Sequence, residues 1–187
     1  MDQTPSSPDK SALRRRLRAE LAGLAPGAVA RRSEAVLAAL VPEIARGTVL
    51  AYAPLPREVQ LDPVLVTLAT EGRLVLPRVV GEELSLHRVA DIAGLRRGSL
   101  GIREPGADCP RVEPGDIEVV LVPGLAFGRD GTRLGRGGGY FDRLLPRLRA
   151  RRVGACFALQ LFDTVPTEPH DARVDAVVTE EGCLRVG

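Results

Sequence analysis

The sequence is poor in the residues that mark several common classes of protein. Its 187 residues include three cysteines, two histidines and no tryptophan, and aromatic side chains make up 3% of the chain. The cysteines are odd in number and widely spaced, so neither a disulfide scaffold nor a zinc site is indicated. No apolar run approaches the roughly 20 residues of a membrane-spanning helix. A net charge of +2 gives no reason to expect a nucleic-acid or membrane partner.

What the chain does contain is typical of an ordinary globular protein, with 44% hydrophobic and 27% charged residues. Residues 1–7 are polar and rich in Pro and Ser, which predicts a disordered tail. The length of the remainder predicts one α/β domain over residues 8–187. The first ten residues have no apolar core of the kind found in secretory signals, so we expect a cytoplasmic location.

Lysine is nearly absent as well. Lys10 is the only lysine among 26 basic residues, the others being arginine. An ammonium is a compact point charge, whereas a guanidinium is a planar fork. Lys10 is therefore a candidate for contacting a phosphate oxygen, although a surface lysine retained by chance explains it equally well.

The N-terminal region predicts a helix that carries this lysine. Ser7, Pro8 and Asp9 form a typical helix start, and leucines then recur at helical spacing to about Leu24. Lys10 lies one turn before Arg14 near the start of this helix. An anion bound there would meet free backbone N–H groups and both cations. The alternative is a solvated basic face.

Beyond a second helix, over about residues 28–40, strand and helix patterns alternate. The strongest strand, residues 117–122, is a β-branched run typical of a strand buried on both faces. The alternation predicts a three-layer α/β/α fold with a mostly parallel sheet. The other expected elements are strands at 49–52, 74–76, 153–159 and 176–179, a shorter strand at 84–89 of either orientation, helices at 62–70 and 139–150, and a long surface loop at 94–116.

A glycine-rich segment leaves the carboxyl end of the 117–122 strand and enters the helix at 139. In an open α/β sheet, ligands bind at that edge. Glycines let the backbone approach a phosphate group and point N–H groups at it. The glycines of this segment are Gly135, Gly137, Gly138 and Gly139.

Charged residues flank these glycines. Arg133 and Arg136 can neutralise phosphate oxygens, and Asp142 can hold a magnesium ion that bridges them. No Gly-Lys-Ser/Thr follows the glycines, and Tyr140 stands where the last glycine of a dinucleotide fingerprint belongs. A purely structural glycine turn remains an alternative.

The run RLGRGGGYFDRLL, residues 133–145, and the preceding PGLAFGRDG, residues 123–131, resemble the signature of 5-formyltetrahydrofolate cyclo-ligases. Other elements resemble the same family in the same order, so the resemblance spans nearly the whole chain. These elements are KSALR at 10–14, YAPLPREV at 52–59, LPR at 76–78, GIREP at 101–105 and VDAV at 174–177.

The resemblance implies a folate enzyme of one-carbon metabolism that uses ATP and magnesium. It would convert 5-formyltetrahydrofolate, with or without a polyglutamate tail, to 5,10-methenyltetrahydrofolate, ADP and phosphate, through phosphorylation of the formyl oxygen. The implied fold is shared with certain sugar-phosphate isomerases and coenzyme A transferases.

Roles for individual residues also follow from the resemblance. Arg14, Tyr140 and Asp142 would be catalytic. Substrate would contact Arg14, Glu58 and Tyr140, and magnesium would bind Asp142 and Asp175. ATP would bind Lys10, Arg14, Arg133, Leu134, Gly135, Arg136, Gly137, Gly138, Gly139, Tyr140 and Phe141.

Two positions depart from the family pattern. Relatives often carry a second tyrosine where this chain has Phe141, and some carry lysine at the position of Gly138. A diverged member that binds nucleotide without this activity is therefore one alternative. An arginine-rich nucleic-acid-binding protein is another, although the low aromatic content and balanced charge oppose it.

Overall fold

The computed structural model describes residues 9–98, 100–168 and 171–187. Its helices are α1 (Lys10–Ala22), α2 (Pro26–Leu40), α3 (Asp62–Thr70) and α4 (Tyr140–Leu144). Its strands are β1 (Val49–Leu50), β2 (Leu74–Val80), β3 (Glu83–Arg88), β4 (Arg96–Arg97), β5 (Arg103–Glu104), β6 (Val119–Val122), β7 (Ala126–Gly128), β8 (Arg133–Leu134), β9 (Arg151–Ala155), β10 (Leu161–Phe162), β11 (Ala176–Thr179) and β12 (Gly182–Arg185).

A central sheet organises these elements. In the described ranges it has seven strands in the order β12-β11-β9-β6-β1-β2-β3. The five inner strands run parallel, whereas β3 and β12 pair antiparallel at the two edges. The predicted mostly parallel sheet is confirmed.

Both faces of this sheet are buried, which is why its inner strands are apolar throughout. Val49 of β1 and Ala51 directly after it enter one core cluster with residues of α2 and α3, whereas Leu50 of β1 enters a second cluster with Leu144 of α4. Successive side chains of a strand point to opposite faces. Helices on both faces complete the predicted three-layer α/β/α arrangement.

A small second sheet lies under the glycine-rich segment. It has the order β10-β7-β8, and β7 and β8 form an antiparallel hairpin. Leu17 of α1 packs in one cluster with Ala126 of β7, Leu134 of β8 and Val165. This contact fixes the first helix against the hairpin that leads into the glycines.

Several predicted boundaries are wrong for identifiable reasons. The helix expected over 139–150 ends at Leu144 and continues only as a 3₁₀ turn, because Pro146 has no N–H to donate to the preceding turn. The strand expected over 153–159 spans Arg151–Ala155 and gives way to a 3₁₀ turn at Ala158–Gln160. The strand expected over 117–122 begins at Val119.

Other differences concern the ends and loops. The predicted helix start at Ser7, Pro8 and Asp9 is more exactly an N-cap at Asp9, whose side chain accepts from Ser11 N. The loop expected over 94–116 contains the short hairpin of β4 and β5. The predicted tail, residues 1–7, lies outside the described residues. Within the described part of the chain, no helix is long and apolar enough to cross a membrane.

Candidate active site

A cavity lies at the topological switch point of the central sheet, between the neighbouring strands β1 and β6. From β1 the chain proceeds to β2 on one side, and from β6 it proceeds to β9 on the other. Such a division leaves a crevice beyond the carboxyl ends of the two strands. Tyr52 and Ala53 after β1, and Pro123 after β6, line a cavity of about 620 Å³ there. This volume is in the usual range of small-molecule sites.

The residues from Arg133 to Gly139, called the glycine loop below, form one side of this cavity. Two of its glycines have positive φ, +111° at Gly137 and +69° at Gly139. A side chain at either position would strain the backbone. Gly139 is the N-cap of α4, so the conformation of the loop depends on glycine where the helix begins.

Helix α1 lies along the glycine loop. Arg14 Nε donates to Gly135 O at 2.9 Å, and Arg18 donates to Arg136 O at 3.1 Å. Together with the packing of Leu17, these bonds bring Lys10 and Arg14 to the cavity. The structure therefore brings the two predicted cations of α1 to the predicted loop.

Lys10 is held by two carboxylates that the sequence analysis did not identify. Its Nζ lies 2.5 Å from Asp171 Oδ2 and 3.2 Å from Glu168 Oε2, and its side chain is 16% exposed. Both acids line the cavity. They are single acids in a polar loop, where no spacing or apolar pattern marks them in the sequence.

Arg136 and Glu58 join the two loops that face each other across the cavity. Arg136 Nε and Nη2 lie 2.8 and 2.5 Å from Glu58 Oε1, while Glu58 Oε2 accepts from Leu55 N at 2.8 Å. Burial and the Glu58 carboxylate raise the pKa of Tyr52 well above its usual value. Tyr52 therefore remains a neutral phenol in the floor of the site.

Arg133 is buried, with 4% of its surface exposed. Nη1 donates to Pro123 O at 3.0 Å, and Nη2 forms an ion pair with Asp142 Oδ1. Its Nε has no partner among the described residues. Two of the five N–H donors of the guanidinium thus bind the protein, and Arg133 also lines the cavity. The predicted contact with phosphate stays a prediction.

The two residues that were expected to hold magnesium differ in whether they line the cavity. Asp142 lines the cavity. Asp175 lies at the amino end of β11, where its side chain accepts from Arg152 N, and it does not line the cavity. Asp171 lines the cavity instead, and the adjacent Ala172 N lies 3.5 Å from Asp142 Oδ1. Among the described residues, no group of three or more His, Cys, Asp or Glu side chains is arranged to hold a metal.

Apolar and aromatic residues also line the cavity. Tyr140 and Phe141 line it at the start of α4, and Phe141 also packs against the core of the second sheet face. The loss of the second tyrosine hydroxyl therefore leaves ring packing intact. Further apolar lining residues, called the apolar wall below, are Pro77, Val79, Leu84, Leu100 and Ile102.

A cavity lined both by cations and by apolar and aromatic groups suits a ligand, or a pair of ligands, with anionic groups and flat rings. The sequence profile of the 5-formyltetrahydrofolate cyclo-ligase family matches residues 6–180. The chain belongs to this family. The match includes α1, the loop after β1 and the whole glycine loop, so the cyclo-ligase resemblance seen in the motifs is confirmed.

Individual cyclo-ligases resemble the chain over most of its length. The 5-formyltetrahydrofolate cyclo-ligase of Mycolicibacterium smegmatis is 34% identical over 146 residues, 73% of this chain and 75% of the relative. That of Escherichia coli K12 is 31% identical over 149 residues, 74% of this chain and 80% of the relative.

A solved structure agrees with the fold. The NMR structure of Aquifex aeolicus 5,10-methenyltetrahydrofolate synthetase matches with a TM-score of 0.86 and 39% identity, covering 95% of this chain and 92% of that one. The cyclo-ligase family is a family of enzymes, so the cavity at the glycine loop is the candidate active site.

Proposed function

We propose that this protein converts 5-formyltetrahydrofolate and ATP to 5,10-methenyltetrahydrofolate, ADP and phosphate. One observation carries the proposal. In a chain that belongs to the cyclo-ligase family, a single cavity combines the glycine loop, the cations of α1 and an apolar wall. Such a cavity can accept a polyphosphate and a flat ring system side by side, which phosphoryl transfer between them requires.

The phosphates belong beside Lys10, Arg14 and Arg136. In the free protein Lys10 is paired with Asp171, and Arg136 is paired with Glu58. Charge-assisted bonds to phosphate oxygens replace these pairs when the nucleotide enters. The exchange leaves each cation neutralised at every stage, and it frees the Glu58 carboxylate to accept hydrogen bonds from the N–H groups of the pterin.

Asp142 and Asp171 suit a magnesium ion bound with the nucleotide. Magnesium in nucleotide sites takes one or two carboxylates and completes its shell with phosphate oxygens and water. Both carboxylates line the cavity, which supports Asp171 rather than Asp175 as the second one. The bound ion would neutralise charge on the phosphoryl group. Arg133 would orient Asp142 through their buried ion pair.

The proposed chemistry solves the problem that an amide oxygen is a poor leaving group. The formyl oxygen attacks the γ-phosphorus, an O–P bond forms, and the bond to ADP breaks. N10 then attacks the formyl carbon and loses its proton, and the C–O bond breaks to release phosphate. The protein's part is to hold the two substrates in line and to neutralise developing charge, so no side-chain nucleophile is needed.

The test mixes purified protein with 5-formyltetrahydrofolate, ATP and magnesium and follows the near-ultraviolet absorbance of the methenyl product. We expect a rise that requires ATP and is lost in Lys10→Ala. Arg15→Ala is the matched control, because Arg15 is an exposed cation on the same helix. A flat trace from folded protein that binds ATP would contradict the proposal.

A further inference from the structure

Arg143 joins three separate parts of the site although it is not one of the residues that line the cavity. Its Nε and Nη2 donate to Glu82 O at 3.0 and 2.7 Å, and Nη2 also lies 3.2 Å from Gly138 O. Its guanidinium carbon lies 5.1 Å from the centre of the Tyr140 ring. One side chain thus contacts a hairpin turn, the glycine loop and an aromatic residue of the cavity.

The hairpin turn belongs to the apolar wall. β2 and β3 pair from Val75 to Arg88 and are joined by the two-residue turn Gly81–Glu82. Val79 and Leu84, on either side of this turn, line the cavity. The position of the turn therefore decides where this part of the apolar wall stands relative to the glycine loop.

The absence of a side chain at Gly139 leaves space for the Arg143 guanidinium. A Cβ on Gly139 would lie 2.7 Å from Arg143 Nη1, so the glycine permits the close approach as well as the positive φ. A planar fork with several donors can bridge two carbonyl groups at once, whereas an ammonium cannot reproduce that geometry. The arrangement thus depends on arginine at position 143.

We propose that Arg143 is a positioning residue for the folate: it holds the β2–β3 turn and the Tyr140 ring at the spacing that the pterin ring requires. The inference rests on the proposed function. The cations that are proposed to bind the phosphates are held by other partners, Lys10 by Asp171 and Arg136 by Glu58. The bond of Arg143 to the glycine loop, 3.2 Å to Gly138 O, is longer than its two bonds to the hairpin turn. Loss of Arg143 should therefore weaken folate binding more than ATP binding.

The experiment measures kcat and both KM values for Arg143→Ala, together with the affinity for 5-formyltetrahydrofolate by calorimetry. We expect the KM and the dissociation constant for 5-formyltetrahydrofolate to rise about tenfold, which corresponds in free energy to the net contribution of about one hydrogen bond. The effect on folate binding is smaller than the loss of all three bonds of Arg143, because they act on the folate only through the turn and the Tyr140 ring. The KM for ATP should change by less than about twofold, and Arg143→Lys should recover part of the loss because it keeps the charge and one donor. Urea unfolding of each variant confirms that the measured protein is folded.

Arg147→Ala is the matched control. Arg147 lies one turn further along and contacts the same hairpin through an exposed ion pair with Glu83, which should contribute little. An equal effect of Arg147→Ala, or an equal rise of both KM values in Arg143→Ala, would overturn the inference. If the unaltered protein fails to bind 5-formyltetrahydrofolate, the proposed function fails with it. If it binds and Arg143→Ala binds equally well, the role of Arg143 alone is refuted.

Discussion

Asp142 has two possible duties in this structure, and a pair of substitutions separates them. Its carboxylate neutralises the buried guanidinium of Arg133, and it also faces the cavity where the nucleotide is proposed to bind. Asp142→Asn keeps the shape and one acceptor oxygen but removes the charge. Both duties predict lost activity for this variant, so the single substitution does not distinguish them.

The expected loss in the free energy of unfolding of Asp142→Asn follows from the burial of the ion pair between Asp142 and Arg133. Removing one partner of a buried ion pair costs about 3–5 kcal/mol. The asparagine oxygen still accepts a bond from Arg133, and the Asp142 side chain is 19% exposed, so we expect a smaller loss of about 1–3 kcal/mol in the free energy of unfolding. Turnover should fall about a hundredfold or more, because a group that stabilises the transferring phosphoryl is lost.

The decisive comparison is Arg133→Met/Asp142→Asn, in which the buried charge is removed as well. Urea unfolding of the two single variants and the double variant should give a coupling energy of about 1–2 kcal/mol, with the double variant more stable than additivity predicts. The methenyl absorbance assay should show no recovery of turnover. Recovery of turnover in the double variant would refute the nucleotide role, since Asp142 would then serve only to neutralise Arg133.

Three further predictions concern the backbone, pH and thiol chemistry. Gly139 and Gly72 share a φ of +69°, so alanine at either position should lower the free energy of unfolding by about 1–2 kcal/mol. Gly139→Ala should cost more than Gly72→Ala, because its Cβ would lie 2.7 Å from Arg143 Nη1 and displace the bonds of that guanidinium, whereas the space at Gly72 is open; equal losses in urea would contradict this. The hydrogen bond from Arg151 lowers the pKa of Glu43, so the stability difference between wild type and Glu43→Gln should be present above the usual pKa of glutamate and vanish as the pH falls through the lowered value; a difference that is constant in pH would be evidence against it. Burial raises the pKa of the Cys156 thiol, so a thiol reagent should label Cys156 only after unfolding, whereas the exposed Cys183 should react in the native protein; peptide mass spectrometry that finds the label on Cys156 of native protein would disprove the packing.

The elements that the sequence predicted well are those in which the pattern of apolar residues within the element itself indicates which side chains are buried. β6 is a continuous apolar run and is buried on both faces, and the leucines of α1 repeat at the helical period. β12 was missed because Gly182–Arg185 alternates between partly buried and exposed residues at the sheet edge. β7 and β8 were missed because they lie inside a segment whose glycines suggested only a loop.

The residues of the candidate site also differ in how well the sequence predicts them. Lys10, Arg14 and the glycine loop were predictable from charge type, helical spacing and motif, and the structure brings them together. Asp171 was not predictable, because its position depends on a long-range ion pair with Lys10, 161 residues earlier in the chain. The ion pair between Arg133 and Asp142 likewise depends on the path of the glycine loop between β8 and α4, which the spacing of the motif does not specify.

The most direct test of the central claim follows the formyl oxygen itself. 5-Formyltetrahydrofolate labelled with ¹⁸O in the formyl group is converted with ATP and magnesium, and the released phosphate is examined by ³¹P NMR for the isotope shift of a P–¹⁸O bond. Attack of the formyl oxygen on the γ-phosphorus predicts one ¹⁸O in each phosphate formed, with ADP in equal amount. Unlabelled phosphate, with the ¹⁸O in water, would contradict the account.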